Sequence, residues 1–103
     1  MILHLATFHW NDDVTDDDVT ALTDALTEMA QGIPELRGYR CGPNLHLRPQ
    51  GADYGVAALV DDAAGLDAYL DSHAHGEVYR TLLGRMIASR GAVQLEVPAG
   101  ARL

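Results

Sequence analysis

The residues best suited to chemistry near neutral pH lie in one segment, residues 66–79, with the sequence LDAYLDSHAHGEVY. It contains a tyrosine, Tyr69, a serine, Ser72, and two histidines, His73 and His75. Histidine is the side chain that exchanges protons most readily near pH 7, and tyrosine can act as its partner. The segment therefore predicts a site for general acid–base chemistry.

Whether Tyr69 and His75 can act together depends on the backbone between them. The two residues are six positions apart, which is roughly 240° around an uninterrupted α-helix. They can converge only if the helix breaks, and residues 72–74 together with Gly76 favour such a break. The apolar and aromatic spacing before the break predicts an amphipathic helix with one face inward; its positions are Leu66, Tyr69, Leu70 and His73.

The His73-x-His75 pair also suggests a metal site, because imidazole binds zinc, copper and nickel. On a helix, however, positions i and i+2 point about 200° apart, and no third ligand is evident. The single cysteine, Cys41, offers no Cys-x-x-Cys spacing. We therefore expect neither a metal nor a cofactor.

The charge of the chain limits its partners. The 103 residues carry a formal net charge of −8, which repels nucleic-acid phosphates and anionic membrane surfaces. The longest apolar runs are far shorter than the roughly 20 residues of a membrane span, and the start lacks a basic signal-peptide region. We expect one cytoplasmic domain, residues 1–103, without nucleic-acid or membrane partners.

Helical periodicity predicts two long helices. The first begins at Thr15, with Asp18 in the capping-box position, and ends at residues 32–34, which contain Gly and Pro. The second begins behind an Asp-rich cap at residues 61–63. It runs through the chemistry-bearing segment to a predicted stop at residues 90–91.

Alternating apolar residues predict four strands. Their expected ranges are 2–10, 36–48 with a bend near Gly42, 54–60 and 92–97, and the tail at 99–103 is expected to fray. The order β-α-β-β-α-β predicts an α+β, ferredoxin-like fold with a four-stranded antiparallel sheet. Because the first and third strands are apolar on both faces, we expect a homodimer that closes an α+β barrel.

Several short motifs, in this order and at this length, resemble the stress-responsive dimeric α/β-barrel domain family. The motifs are an opening Ile2-Leu3-His4-Leu5 followed by two aromatic residues, the helix exit Ile33-Pro34, Gly42-x-Asn44 after the second strand, and Tyr69-x5-His75. The resemblance spans nearly the whole chain. It implies a homodimer with a small pocket between the sheet and the helices of each subunit.

The resemblance also implies roles for individual residues. A plant polyketide cyclase of the family uses the matching tyrosine and histidine as its acid–base pair, so Tyr69 and His75 are the candidate catalytic residues. The implied ligand is a small apolar or aromatic carbonyl compound. By the same resemblance, His4 and Tyr54 are expected to bind the substrate. The other expected substrate-binding residues, which the resemblance does not supply, are Phe8, Trp10, Leu26, Ser72 and His73.

The chain departs from the family pattern at one point. Ser72 and His73 stand where the family usually has histidine and proline before the catalytic histidine. Two alternatives to a cyclase or isomerase remain open: a non-catalytic, stress-related dimer that binds hydrophobic ligands, and a cofactor-free monooxygenase with Trp10 and Tyr54 lining its pocket. An apolar pocket with a few polar groups fits all three.

Overall fold

The structure is a computed structural model that describes all residues from Met1 to Leu103. Four strands form one antiparallel sheet in the order β2-β3-β1-β4. They are β1 (Ile2–Trp10), β2 (Leu36–Pro43), β3 (Tyr54–Val60) and β4 (Ile87–Glu96). The helices cover one face of this sheet, so the predicted ferredoxin-like α+β fold is confirmed.

The first helix, α1 (Asp16–Gln31), begins and ends as the sequence predicts. The Thr15 hydroxyl accepts the Asp18 N–H, and the Asp18 carboxylate accepts the Thr15 N–H. This reciprocal capping satisfies two donors that the first turn leaves without a partner. The buried residues of the helix are Leu22, Leu26 and Met29, which pack into the core.

The second predicted helix consists of several pieces. The helix α2 (Ala63–Leu70) is capped by the Asp62 carboxylate, and α3 (His73–Val78) follows after two residues. A π-helical turn (Tyr79–Leu83) and a last α-turn (Gly84–Met86) continue α3 without interruption.

The two faces of the sheet have different surroundings. The even-numbered residues of β1 face the helices, and among them His4 and Phe8 are buried. The opposite face, which we call the open face, carries no helix. The Val93 and Leu95 side chains on this face are 48% and 45% exposed, and Val93 lies beside Leu5 in the register of β1 and β4.

Three predicted boundaries are wrong. The second strand ends at Pro43 instead of continuing to Arg48, because the chain turns away there and Asn44 N–H donates to Asp53 O. The last helix ends at Met86, not at Arg90, and β4 begins at Ile87 instead of Ala92. The end of that helix is set by Asn11.

Asn11 caps the last helical turn from a distant part of the chain. Its backbone N–H donates to Met86 O at 2.8 Å, and its Nδ2 donates to Arg85 O at 2.9 Å. These bonds satisfy carbonyls that have no partner inside the helix. Ile87 is extended, with φ −78° and ψ 122°, and pairs with Trp10.

The C-terminal tail, which the sequence predicts to fray, crosses the open face. Val97 N–H donates to Met1 O at the edge of the sheet near β4. At the other edge, a Cβ added to Gly38 would lie 3.3 Å from Leu103 Cγ. The chain therefore spans the sheet from β4 to β2, and Gly38 leaves room for the terminal leucine.

The π-helical turn depends on the absence of a side chain at Gly84. Gly84 N–H donates to Tyr79 O five residues earlier. A Cβ at position 84 would lie 3.0 Å from that oxygen and 3.1 Å from Tyr79 Cε1. The backbone of residue 84 can thus lie this close to the carbonyl oxygen and the ring of Tyr79 only because residue 84 is glycine.

We expect Gly84→Ala to lower the free energy of unfolding by about 1 kcal/mol or more, because overpacking outweighs the helix preference of alanine. Chemical denaturation measures this change. Gly76→Ala is the matched control, because its Cβ would meet only the flexible end of Arg80; it should stabilise the protein by up to about 1 kcal/mol. Equal effects of the two substitutions would contradict this account of the π-turn.

Candidate functional site

A cavity of about 390 Å³ lies between the helix-facing side of the sheet and the helices. Its lining comes from β1, β2, β3 and β4, from α1 and α2, and from residues 75–83. The small side chains of Ala6 and Ala92 leave room above the sheet. Apolar side chains form much of the wall, among them Phe8 and Leu26.

Tyr69 and His75 meet at this cavity. The two ring centroids are 5.2 Å apart, and the ring planes stand at 80° in an edge-to-face arrangement. Both residues line the same cavity, and the Tyr69 side chain is almost completely buried. The helix breaks between them, as their convergence requires.

Ser72 makes that break. Its backbone is extended, with φ −64° and ψ 147°, between the end of α2 and the start of α3. Its Oγ donates to Tyr69 O at 2.8 Å and accepts the His75 N–H at 3.1 Å. A serine N-cap therefore connects the backbones of the two candidate catalytic residues without the proline that the family usually has here.

His4 lies on the floor of the cavity beneath Tyr69, with 6.4 Å between the ring centroids. The Gln94 Nε2 donates to His4 Nδ1 at 2.9 Å, which places the His4 proton on Nε2. Burial lowers the pKa of His4 below its usual value. The ring is therefore neutral at pH 7 and offers one N–H donor.

His75 is also a neutral imidazole at pH 7. Burial lowers its pKa, and the nearby His4 and the positive charge of Arg90 lower it further, while Asp71 acts in the opposite direction. A neutral imidazole has one ring nitrogen without a proton, and this nitrogen can accept one. The surroundings thus favour His75 as a base.

The surroundings of Tyr69 favour the opposite role. Burial raises the pKa of Tyr69 above its usual value of about 10. The phenol therefore keeps its proton at neutral pH and can donate a hydrogen bond. The pair combines a neutral base with a protonated donor.

A second phenol, Tyr39 of β2, lines the cavity beside Tyr69, with the ring centroids 6.1 Å apart. Its hydroxyl is buried and makes no hydrogen bond of normal geometry. Burial raises the pKa of Tyr39, and the neighbouring Tyr69, toward which the hydroxyl is weakly hydrogen-bonded, raises it further. This phenol is therefore a protonated donor without a well-formed hydrogen bond.

The structure places four predicted binding residues away from the cavity lining. Tyr54 points into the core, where its hydroxyl lies 2.8 Å from Thr23 Oγ1, and burial raises the pKa of Tyr54. Trp10, at the end of β1, packs on the Tyr54 ring. Ser72 caps α3, and His73 is 85% exposed beside Glu77 on the outer surface of that helix.

The sequence interpretation also missed four lining residues that carry polar or titratable groups, which are Tyr39, Tyr79, Arg90 and Gln94. The register of the sheet aligns Tyr39, Ala58, His4 and Gln94 in one row across all four strands. Alternation along β2 could have indicated Tyr39. Residues 87–90 were predicted to be helical, so the alternation of a strand could not indicate that Arg90 faces the cavity.

No group of three His, Cys, Asp or Glu side chains is arranged to hold a metal ion. None of the helices combines the length and the apolar character needed to cross a bilayer.

A comparison of Tyr39 with Tyr54 tests how the Tyr39 hydroxyl affects stability. Tyr39→Phe removes a buried hydroxyl that makes no hydrogen bond of normal geometry, so we expect the free energy of unfolding to rise or stay constant. Tyr54→Phe removes the bond to Thr23 and should lower it by about 1 kcal/mol. Denaturant unfolding of both variants measures the difference. A larger loss for Tyr39→Phe than for Tyr54→Phe would show that the Tyr39 hydroxyl makes a stabilising hydrogen bond.

The chain is similar to known proteins over nearly its full length. The profile of the Stress responsive A/B Barrel Domain family matches residues 2–97. An uncharacterized protein of Streptomyces coelicolor is 38% identical over 77 residues, which are 73% of this chain and 79% of that protein.

Solved structures agree with this assignment. A dimeric ferredoxin-like protein from Thermobifida fusca is 38% identical, with a TM-score of 0.87 over 93% of this chain and 90% of that one. A hydroxynitrile lyase from Passiflora edulis is 10% identical and has a TM-score of 0.78 over 97% of this chain and 95% of that one, which shows a common fold. The chain belongs to the stress responsive A/B barrel domain family.

Proposed function

We propose that this protein is a cofactor-independent acid–base catalyst of the cyclase or isomerase type, acting on small polyketide-like carbonyl compounds. The observation that carries the proposal is the edge-to-face contact of Tyr69 and His75 on one cavity. A base and a hydrogen-bond donor on opposite sides of a carbonyl group are what enolate chemistry needs.

In the proposed reaction, neutral His75 removes a proton from the carbon beside a substrate carbonyl. The Tyr69 hydroxyl donates a hydrogen bond to the carbonyl oxygen as it becomes an enolate. The enolate carbon then attacks a second carbonyl of the same molecule, one carbon–carbon bond forms, and the resulting alkoxide takes the proton back from His75. Atoms and charges balance without an added oxidant or metal.

The rest of the cavity supports this chemistry. His4, held by Gln94, can donate to a second oxygen of the substrate. The apolar wall that contains Phe8 and Leu26 excludes water, and hydrogen bonds to developing charge are stronger in such surroundings. The likeness to a hydroxynitrile lyase supports the proposal to the extent that this fold can carry an enzyme.

We also propose that the protein forms a homodimer through the open face. Val93 and Leu95 are large apolar side chains that the single chain leaves about half exposed. An adjoining apolar depression on this face includes Leu5 and Ala57. A second copy of the same face would cover these residues and close a barrel; the related protein from Thermobifida fusca is dimeric.

The catalytic pair is tested with a linear polyketone whose ring closure is followed by absorbance. His75→Ala and Tyr69→Phe should each lower kcat/KM by about 10²–10⁴-fold, because each removes a positioned acid–base or hydrogen-bonding group. His73→Ala is the matched control, since His73 lies on the outer surface; its activity should equal that of the wild type. If the wild type bound the polyketone without converting it, the catalytic proposal would be wrong and the protein would have a ligand-binding role.

The pH profile of the same reaction gives a second readout. His75 must be neutral to act, and its pKa lies below its usual value. Activity should therefore persist below pH ~6.5 and fall only as the pH passes through the lowered pKa. Because the pKa of Tyr69 is raised, no loss is expected until the pH exceeds about 10. If activity were lost on acidification while the pH was still above ~7, His75 could not be a base with a lowered pKa.

The dimer is tested by introducing a charge on the open face. The wild type should sediment at twice the mass of one chain, and Leu5→Glu or Val93→Glu should give monomers, because a buried unpaired carboxylate opposes association. Leu47→Glu provides the control, since Leu47 is 79% exposed in the loop after β2; it should remain dimeric. A wild type that sediments as a monomer at micromolar concentration rules out this interface.

A further inference from the structure

The cavity contains one formally charged side chain, that of Arg90. The whole chain has a formal net charge of −8, yet no carboxylate lines the cavity. The four ion pairs of the structure involve Arg37, Arg80, Arg85 and His73, so Arg90 has no acidic partner. A positive group without a partner at the edge of an apolar cavity can bind an anionic ligand.

The neutral polar groups of the cavity are also mainly donors. Tyr69 keeps its proton, and His4 presents its Nε2–H because Nδ1 already accepts a bond from Gln94. The buried Tyr39 hydroxyl makes no hydrogen bond of normal geometry. A buried donor without a partner costs about 1–3 kcal/mol, so a ligand that brings acceptor oxygens would relieve this cost.

The position of Arg90 separates it from these donors. In the sheet register Arg90 pairs with Phe8, whereas Gln94 pairs with His4 and, through β3, lies in the same row as Tyr39. Residues 90 and 94 are four positions apart on β4, or about 13 Å along the strand. The apolar floor between the two rows carries small residues, including Ala6 and Ala92.

We propose that the ligand is a keto acid: an apolar body with carbonyl oxygens directed to Tyr69 and Tyr39 and a carboxylate bound by Arg90. The proposal rests on the proposed function and names its substrate class. Arg90 is then a specificity-determining residue that orients the substrate. A guanidinium binds a carboxylate through two parallel hydrogen bonds, which fixes both the position and the direction of the ligand.

Two probes that differ in charge test this assignment. Titrations with 4-butylbenzoate and with its neutral amide, 4-butylbenzamide, are followed by NMR at neutral pH, where the carboxylate is ionised. The wild type should bind the benzoate about tenfold more tightly than the amide, and Arg90→Gln should remove this preference. Because Arg90 is exposed, its substitution should leave the melting temperature unchanged.

Arg48→Gln is the matched control, because it removes the same charge from the exposed loop after β2, outside the cavity. This variant should keep the preference for benzoate. Equal affinity for the two probes, failure of both to bind, or the same loss in Arg48→Gln would overturn the assignment.

The outcome is independent of catalysis. His75→Ala should lose turnover but keep its preference for benzoate, because Arg90 is intact in that variant. If the proposed enzyme activity failed, this binding result would stand. If the charge preference failed, ring closure of a neutral polyketone could still proceed on Tyr69 and His75.

Discussion

The site depends on one helix cap. The Ser72 hydroxyl donates to the carbonyl of Tyr69 and accepts the N–H of His75, and the extended backbone of Ser72 separates α2 from α3. On a continuous helix the two side chains would point in different directions. With the break they meet edge to face on a common cavity. In this chain, Ser72 therefore provides the break by a side-chain cap, with Ser72 and His73 at the positions where the family usually has histidine and proline.

The sheet contributes the electrostatic surroundings. Its in-register row places Tyr39, His4 and Gln94 on the floor beneath Tyr69. Burial disfavours charge on each titratable group of this cluster, so the histidines lose protons and the phenols keep them. Burial thus supports opposite roles for His75 and Tyr69. Arg90 adds a positive charge at the side of β4, which helps to keep His75 neutral and, in our proposal, shapes the preference for ligands.

The C-terminal tail covers part of the open face. The tail crosses from β4 to β2, where Gly38 accommodates Leu103. It covers one part of the sheet, while Val93 and Leu95 remain about half exposed. The apolar residues of the open face predict that other residues cover it. The tail of the same chain covers one part, and in our proposal a second copy covers the rest.

The family resemblance named Tyr69 and His75 as a pair, whereas the sequence by itself determined the order of elements, the limits of β1 and β3 and the capping box of α1. These features depend on local periodicity and on caps within a few residues, which the sequence states directly. The tertiary structure decided the rest. The end of the last helix is set by Asn11, more than seventy residues earlier, and the cavity lining follows from strand register, which brings Tyr39 and Gln94 into one row. Tyr54 and Trp10, which were predicted to line the pocket, pack in the core beside it. The positions of the helices on the sheet decide which end of each strand lies under the cavity, and these positions are not written in local sequence patterns.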